Sequence, residues 1–379
     1  MLKKILVAAA VLFVFYAALG LWLIFDFARR PYPSSPPIHE YEPVCMLRVQ
    51  RHFVASPRFP VIDAHSHPQE SGLPIEELVR IMDEAGVRCI VDLNGGWGEG
   101  LKRIIERYEL RFPGRFIVFA NLNMRRVNEP GFGQEQAEEL ERSVALGARG
   151  LKLWKSLGME LRNPDGSLIP VDDDRFQPIW QKAAELGIPV LMHTADPTAF
   201  WLPLSPENER FEEIYLAGRL GWRYFLDPRQ GMPSKGELLR QRESLLQKNP
   251  HTIFIGAHMA MVSDDLGYLA TLLDRYPNFY VDMSDVVYDL GRQPYTTREF
   301  FIKYQDRILF GIDLYPEAEV YRDYYRFLET FDEYMEYPRY KMRHGRWKIY
   351  GIGLPDDVLR KIYNENARRL LRLTDFPTN

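Results

Sequence analysis

Cysteine is almost missing from this chain: it holds two among 379 residues, Cys45 and Cys89, with no CxxC spacing. A disulfide framework and a thiolate zinc site are therefore excluded. Cys89 lies inside an apolar run and reads as a packing residue. No basic run or stripe occurs either, and 48 Lys+Arg against 52 Asp+Glu leave a formal net charge of −4. That balance argues against nucleic acid as a partner. The signatures GxSxG and HExxH are absent, and the glycine-rich turn Asn94–Gly100 fits neither GxGxxG nor GxxxxGK[ST]. A serine nucleophile elbow, a zincin helix and a nucleotide cradle go with them, and the turn reads as a loop beside a site. The remaining composition, 46% hydrophobic and 26% charged, is that of a globular protein.

One long apolar run stands apart. Ile5 to Phe25 carries no charge and only aliphatic, aromatic, Ala and Gly residues. At about 1.5 Å per residue it spans roughly 30 Å, the thickness of a bilayer core. A secretory signal has a shorter apolar core and a small-residue cleavage site, whereas Phe25-Asp26-Phe27-Ala28-Arg29 offers none. Residues 1–30 thus read as an uncleaved, single-pass membrane anchor. Lys3, Lys4 and the amino terminus outweigh Arg29 and Arg30 offset by Asp26, which points to a cytoplasmic N-terminus and an exported, extracytoplasmic catalytic domain. Pro31, Pro33, Pro36, Pro37 and Pro43 make 31–58 a stiff linker.

From residue 59 to 375 short apolar runs alternate with amphipathic stretches. The strands are expected at 59–65, 87–93, 115–121, 149–154, 188–193, 252–257, 278–283 and 307–312. Helical patterns fall at Ile75–Ala85, Gln134–Leu146, Arg175–Leu186, Leu238–Lys248, Leu266–Arg275 and Asp356–Leu373. Runs such as Ile90-Val91-Asp92-Leu93 suit strands covered on both faces of a parallel sheet. Eight strands with crossover-length connections argue for an α/β fold of the (β/α)8, TIM-barrel type; a doubly wound sheet shares the alternation. The connections after the fifth and eighth strands are long and aromatic-rich. The first holds Phe200, Trp201, Phe211, Tyr215, Trp222, Tyr224 and Phe225, the second Tyr315, Tyr321, Tyr324, Tyr325, Phe327, Phe331, Tyr334, Tyr337, Tyr340, Trp347 and Tyr350. Most of these rings pack the insertions onto the barrel, and a few line a pocket.

The first strand closes on Asp63-Ala64-His65-Ser66-His67, in which a period of two puts Asp63, His65 and His67 on one face. Imidazole is the commonest ligand of transition metals, and His/carboxylate sets suit zinc, manganese or iron. An HxH alone is weak, but further polar residues fall at strand ends: Lys152, His193, His258 and Asp313. In a barrel all of them gather at the C-terminal mouth. Asp282 and Asp285 end the seventh strand without an assignable role. Arg210, Trp154 and Trp201 are candidates for touching substrate; Arg210 and Arg292 lie in connections and could bind an anionic one, a surface salt bridge being the default reading for each, and Glu209 reads as a solvated carboxylate.

These motifs together resemble the amidohydrolase superfamily, and within it the amidohydrolase-related (amidohydrolase 2) family of metal-dependent hydrolases and decarboxylases. The resemblance rests on Asp63-Ala64-His65-Ser66-His67, Met192-His193-Thr194, Gly256-Ala257-His258, Phe310-Gly311-Ile312-Asp313 and the closing Asn364–Leu370, and covers residues 59–373. It implies a distorted (β/α)8 barrel with His65, His67, His193 and Asp313 as metal ligands, and His258 as a further ligand or an acid/base. It leaves Lys152 either as a carbamylated bridge between two ions, as a cation for a substrate carboxylate, or as a salt-bridged structural lysine. Asp63 is either an orienting partner of a ligand or an N–H acceptor in the barrel floor.

The expected chemistry is hydrolysis of a small ester, lactone or amide by a metal-activated water, with one ion, zinc, as cofactor. Asp313 would accept the water's proton and His258 would serve the leaving group. The alternatives are non-oxidative decarboxylation of an aromatic or unsaturated acid and, from another class, a membrane-tethered inactive binding barrel.

Overall fold

A computed structural model describes residues 2–29, 37, 40, 44–219, 231–313, 316–338 and 344–374. Arg30, Pro31, Pro33, Pro36, Pro43, Trp222, Tyr224, Phe225, Tyr315 and Tyr340, named above, lie outside the described residues. The chain divides into two units, Met1–Arg48 and Val49–Asn379.

The first unit is built on one helix, Leu2–Arg29. Its segment Leu6–Asp26 has a mean hydropathy of 2.5 and is long and apolar enough to cross a membrane. With no water in a bilayer core, a helix is the one way a single segment satisfies its own backbone there.

The second unit begins ten residues before the expected barrel start. The His52 N–H donates to Asp332 (2.7 Å), the Arg58 guanidinium meets Glu329 and Asp356, and Val54 packs on the core. These long-range contacts hold 49–58 on the barrel.

All eight strands form: β1 (Val61–Ser66), β2 (Val87–Asp92), β3 (Phe116–Val118), β4 (Leu151–Leu153), β5 (Val190–Met192), β6 (Phe254–Gly256), β7 (Phe279–Asp282) and β8 (Ile308–Leu309). They pair in parallel as β1-β2-β3 and β4-β5-β6-β7-β8. A parallel bridge, Ala120↔Leu151, joins the two sheets. The ring closes where Ala64 N–H donates to the Phe310 carbonyl and Asp313 N–H to the His65 carbonyl, both at 2.9 Å. Gly311 permits that closure, since a Cβ there would lie 3.0 Å from the Cβ of His65.

Every second strand residue faces inward. Ile62, Ala64, Cys89, Val91, Ile117, Leu191, Ile255 and Leu309 form one buried cluster, closed by Ala367, Leu370 and Leu371 of the last helix. The alternate residues, such as Val61, Leu151, Val190 and Phe279, pack against the surrounding helices. Helices Ile75–Ala85 and Leu266–Arg275 span the residues their periodicity predicts. Burial of Cys89 in the interior cluster fits its reading as a packing residue.

The period-two reading of β1 needs correction. Ile62 and Ala64 belong to the interior cluster, so Asp63 faces the helix layer, where its carboxylate accepts from the Tyr321 hydroxyl at 2.8 Å. The β1–β2 ladder shifts register between Asp63 and Ser66. That slip turns His65 inward, away from the face of Asp63.

Of the aromatic insertions, Tyr321, Tyr324, Tyr325, Phe327 and Tyr337 are buried, whereas Phe331 and Tyr215 are exposed. Most of the described rings therefore serve packing.

Candidate active site at the barrel mouth

The mouth is assembled from strand ends that leave the sheet in unusual conformations. Ala195, His258 to Met261, Asp285 and Asp313 all have positive φ. L-residues adopt that region at a cost, and such strain concentrates at functional sites.

Three imidazoles converge on the Asp313 carboxylate. Its Oδ1 lies 3.1 Å from His67 Nε2 and 3.6 Å from His65 Nε2, and its Oδ2 lies 3.5 Å from His258 Nε2. Ring centroids run from His67 to His65 at 5.4 Å, to His258 at 4.8 Å and on to His193 at 4.6 Å. Lys152 Nζ stands 3.2 Å from His65 Nε2 and 5.2 Å from the Trp154 ring centre. Trp154 stacks on His67 at 5.1 Å and is 38% exposed, so it forms part of the rim.

A second layer fixes each ring. His65 Nδ1 donates to Asp282 Oδ2 (2.9 Å), His258 Nδ1 to the Ser284 carbonyl (2.9 Å), and His67 Nδ1 meets Asn94 Oδ1. Asp282 is fully buried, and its other oxygen accepts from the His258 N–H, the Ser284 N–H and the Ser284 hydroxyl. With the Nδ1 protons placed this way, the three Nε2 lone pairs face the centre, that of His65 also within hydrogen-bond distance of Lys152 Nζ. His193 Nε2 is buried with no hydrogen-bond partner, 3.8 Å from Asp196 Oδ1. Asp196 is itself held by Lys155 Nζ at 2.9 and 3.0 Å.

These residues fit a divalent cation. The ligand atoms of His65, His67 and Asp313 lie within 4.8 Å of one another. An orphaned buried imidazole nitrogen and three more held in the ligand tautomer are the donor chemistry such an ion requires.

The electrostatics follow from burial and neighbours. Burial and the adjacent Lys152 ammonium lower His65 to about 4, keeping it neutral. Burial lowers Lys152 to about 8 despite Asp313 and Asp282. Burial by itself would raise Asp313, but the imidazoles of His65, His67 and His258 hold it well below the usual carboxylate range. Burial pushes Asp63 up to about 7, against its hydrogen bonds from Tyr321 and the His65 and Ile312 N–H groups.

The structure thus brings together His65, His67, His193, His258, Asp313, Lys152 and Trp154. Asp63 reaches His65 through the backbone N–H rather than the ring, which is the N–H acceptor reading; the ring partner is Asp282. Arg210 does not join the cluster. It is 2% exposed, with Nη1 on Glu213 (3.0 Å) and Nη2 on Asp289 (2.8 Å), so the surface salt bridge expected for it is a buried one. Arg292 does form a surface pair, with Glu209. Trp201 is also directed elsewhere, donating to the Pro233 carbonyl. Sequence reasoning left Asp282, Ser284, Asn94 and Asp196 without roles; their position at or just after strand ends is the signal that marks them.

The family model for amidohydrolases matches residues 106–373, more than half of the chain. It begins after β2, so the motif holding His65 and His67 precedes the matched segment. A comparison with curated proteins finds no match. Among solved structures, an uncharacterized TIM-barrel protein from Bordetella bronchiseptica superposes with a TM-score of 0.50 at 16% identity, covering 83% of this chain and 98% of that one. A 2,6-dihydroxybenzoate decarboxylase from Rhizobium gives 0.50 at 17%, covering 83% and 98%. A dihydroxybenzoic acid decarboxylase from a Polaromonas species, with bound manganese and the inhibitor 2-nitroresorcinol, gives 0.50 at 18%, covering 83% and 97%. At these identities the likeness shows the barrel fold. The chain belongs to the amidohydrolase family of metal-dependent enzymes.

Proposed function

We propose that the barrel hydrolyses a small ester, lactone or amide with one divalent cation, zinc, held by His65, His67, His193 and Asp313. The observation that carries this reading is the convergence of three Nε2 atoms on one ionised carboxylate while each of their Nδ1 atoms is occupied. When bound there, a cation would polarise the scissile carbonyl and acidify a water. Asp313 takes the proton of the attacking water at a carboxylate oxygen. That proton passes from Asp313 to His258 Nε2, 3.5 Å from Oδ2, and on to the leaving group, while the His258 Nδ1–H stays on the Ser284 carbonyl. Asp282 keeps His65 and His258 in register. Buried Lys152, 3.2 Å from His65 Nε2, lies next to the ring of rim-exposed Trp154, and a cation beside an aromatic face suits an anionic substrate.

That same pair of residues favours a second reading, non-oxidative decarboxylation of an aromatic acid, with His258 or Asp313 moving the proton; the Rhizobium and Polaromonas barrels act on such acids and the latter holds manganese. An inactive binding barrel is disfavoured by the intact set of imidazoles and carboxylate. Purified protein is to be offered small esters, lactones and amides in parallel with hydroxybenzoic acids. A new carboxylate without CO2 supports hydrolysis, CO2 release supports the lyase, and neither product with any substrate contradicts both.

We also read Leu6–Asp26 as an uncleaved anchor with the barrel on the far side of the membrane. Cys45 is exposed and Cys89 buried, so a membrane-impermeant maleimide should label Cys45 on intact cells. Labelling only after lysis would reverse the orientation.

A further inference from the structure

His258 stands on a backbone that almost no L-residue run adopts. His258, Met259, Ala260 and Met261 have φ of 58°, 51°, 57° and 57°, which makes one turn of left-handed helix directly after β6. A Cβ disfavours that conformation at each position, and four in a row persist only where the surroundings impose them. Three contacts on this turn are local: Met261 N–H reaches the Ala257 and His258 carbonyls at 3.2 and 2.9 Å, and Val262 N–H the Met259 carbonyl at 3.2 Å. Asp282 holds its start through the His258 N–H at 3.0 Å. Behind it, Gly256 leaves no room for a Cβ, which would lie 2.8 Å from the Ala260 Cβ.

The remaining contact is made by an unusual partner. Arg242, on helix Lys235–Lys248, is 1% exposed and donates from Nη1 to the Ala260 carbonyl. Its neighbour Glu243 pairs with Arg275 instead, and among the described residues no carboxylate forms an ion pair with Arg242. A buried guanidinium without a counter-ion is costly, and an apolar residue of similar volume would pack there at less cost. The Arg242 Nε and Nη2 are buried without a hydrogen-bond partner and the Phe279 ring centre lies 5.8 Å from its guanidinium carbon, so stability gives little reason for an arginine here, whereas the Ala260 carbonyl gives one.

We propose that Arg242 is a positioning residue: its guanidinium caps the Ala260 carbonyl, locks the left-handed turn and keeps His258 Nε2 aimed at Asp313. The proposal rests on the reading of His258 as the group that moves a proton to the leaving group. Without the cap the turn relaxes towards ordinary φ and the imidazole swings off the Ser284 carbonyl and Asp313.

The test uses full-length protein in detergent with its native metal, as wild type, Arg242→Met, Arg242→Lys, Ala260→Gly and the double variant Arg242→Met with Ala260→Gly. Two readouts are taken. One is the ring-nitrogen NMR signal of His258 Nδ1–H in protein labelled with 15N-histidine, assigned by its loss in His258→Gln. The other is kcat and KM on whichever substrate the hydrolysis and decarboxylation assays identify. Arg242→Met should fold with an unchanged or higher melting temperature, lose or shift the His258 signal, and fall at least tenfold in kcat with KM within twofold. Arg242→Lys, which retains one donor, should keep the signal and lose less. The double variant should regain the signal and most of kcat, because glycine takes positive φ freely. A residue that merely fills the core gives the opposite pattern: glycine then adds instability and rescues nothing. The proposal is overturned if folded Arg242→Met keeps signal and kcat, or if Ala260→Gly restores neither. Should Arg242→Met not fold, Arg242→Lys with an unaltered signal and no gain from added Ala260→Gly overturns it likewise. If no substrate turns over, the reading of the reaction fails while the NMR arm still reads the turn.

Discussion

The two ends of this barrel are built on opposite terms. The floor is Ile62, Cys89, Ile117, Leu191, Ile255 and Leu309 capped by Ala367, Leu370 and Leu371, all apolar and buried. The mouth, two to four residues further along β1, β5, β6 and β8, is His65, His193, His258 and Asp313, joined by Lys152 of β4 and Asp282 of β7. Among the described non-glycine residues, positive φ occurs after β5, β6, β7 and β8, at the mouth, and otherwise only at Tyr334 and Arg372. The floor thus supplies the cohesive energy that lets the mouth hold strained backbone and desolvated charge, the division expected of a barrel whose C-terminal face carries the chemistry.

The comparison is sharpened most by Asp282, a mouth residue that acts like part of the frame. Asp282→Ala strands the His65 Nδ1–H, the His258 N–H and the Ser284 donors in a dry site. It should lower stability by about 3–5 kcal/mol and weaken metal affinity about 10–100-fold, measured by denaturant titration and metal-competition assays. A loss of metal with unchanged stability would make the mouth independent of the frame.

Ile117→Ala probes the floor. Truncating this buried interior residue of β3 should cost about 2–5 kcal/mol, while the folded fraction keeps its metal and turnover. A metal-free but equally stable variant would break the division between the two ends.

A smaller effect concerns Asp323, on helix Ala318–Glu329, where burial raises the carboxyl to about 6 against Arg326, with Glu319 and Glu336 adding to the rise. Its folded value exceeds its unfolded one, so its favourable contribution is complete below pH ~4 and is lost as pH rises through ~6. Asp323→Asn should therefore be more stable than wild type by about 1–3 kcal/mol at pH 7–8, with the difference shrinking towards pH 4. Equal melting curves at pH 7.5 would contradict this.

How much of this was legible in the sequence follows from the range of the interactions. All eight strands and helices such as Ile75–Ala85 could be read because apolar runs and 3.6-residue periodicity are local. The gathering of His65, His193, His258 and Asp313 followed once strand ends were placed on one rim. The face of Asp63 was misread because the register slip after it depends on how β1 pairs with β2. Asp282 had no visible role because its partner His65 lies 217 residues away, and burial of Arg210 depends on Asp289, 79 residues distant. The left-handed turn at His258 leaves no mark at all in the run Ala257-His258-Met259-Ala260-Met261, which has no glycine to announce it.

The proposed site has residues remote in the chain hold one shared cation at this mouth. Elemental analysis of purified full-length protein, wild type beside His65→Ala, tests it directly. The wild type should carry about one equivalent of a divalent transition metal and His65→Ala next to none, with turnover lost alongside. Full metal content in folded His65→Ala would contradict it.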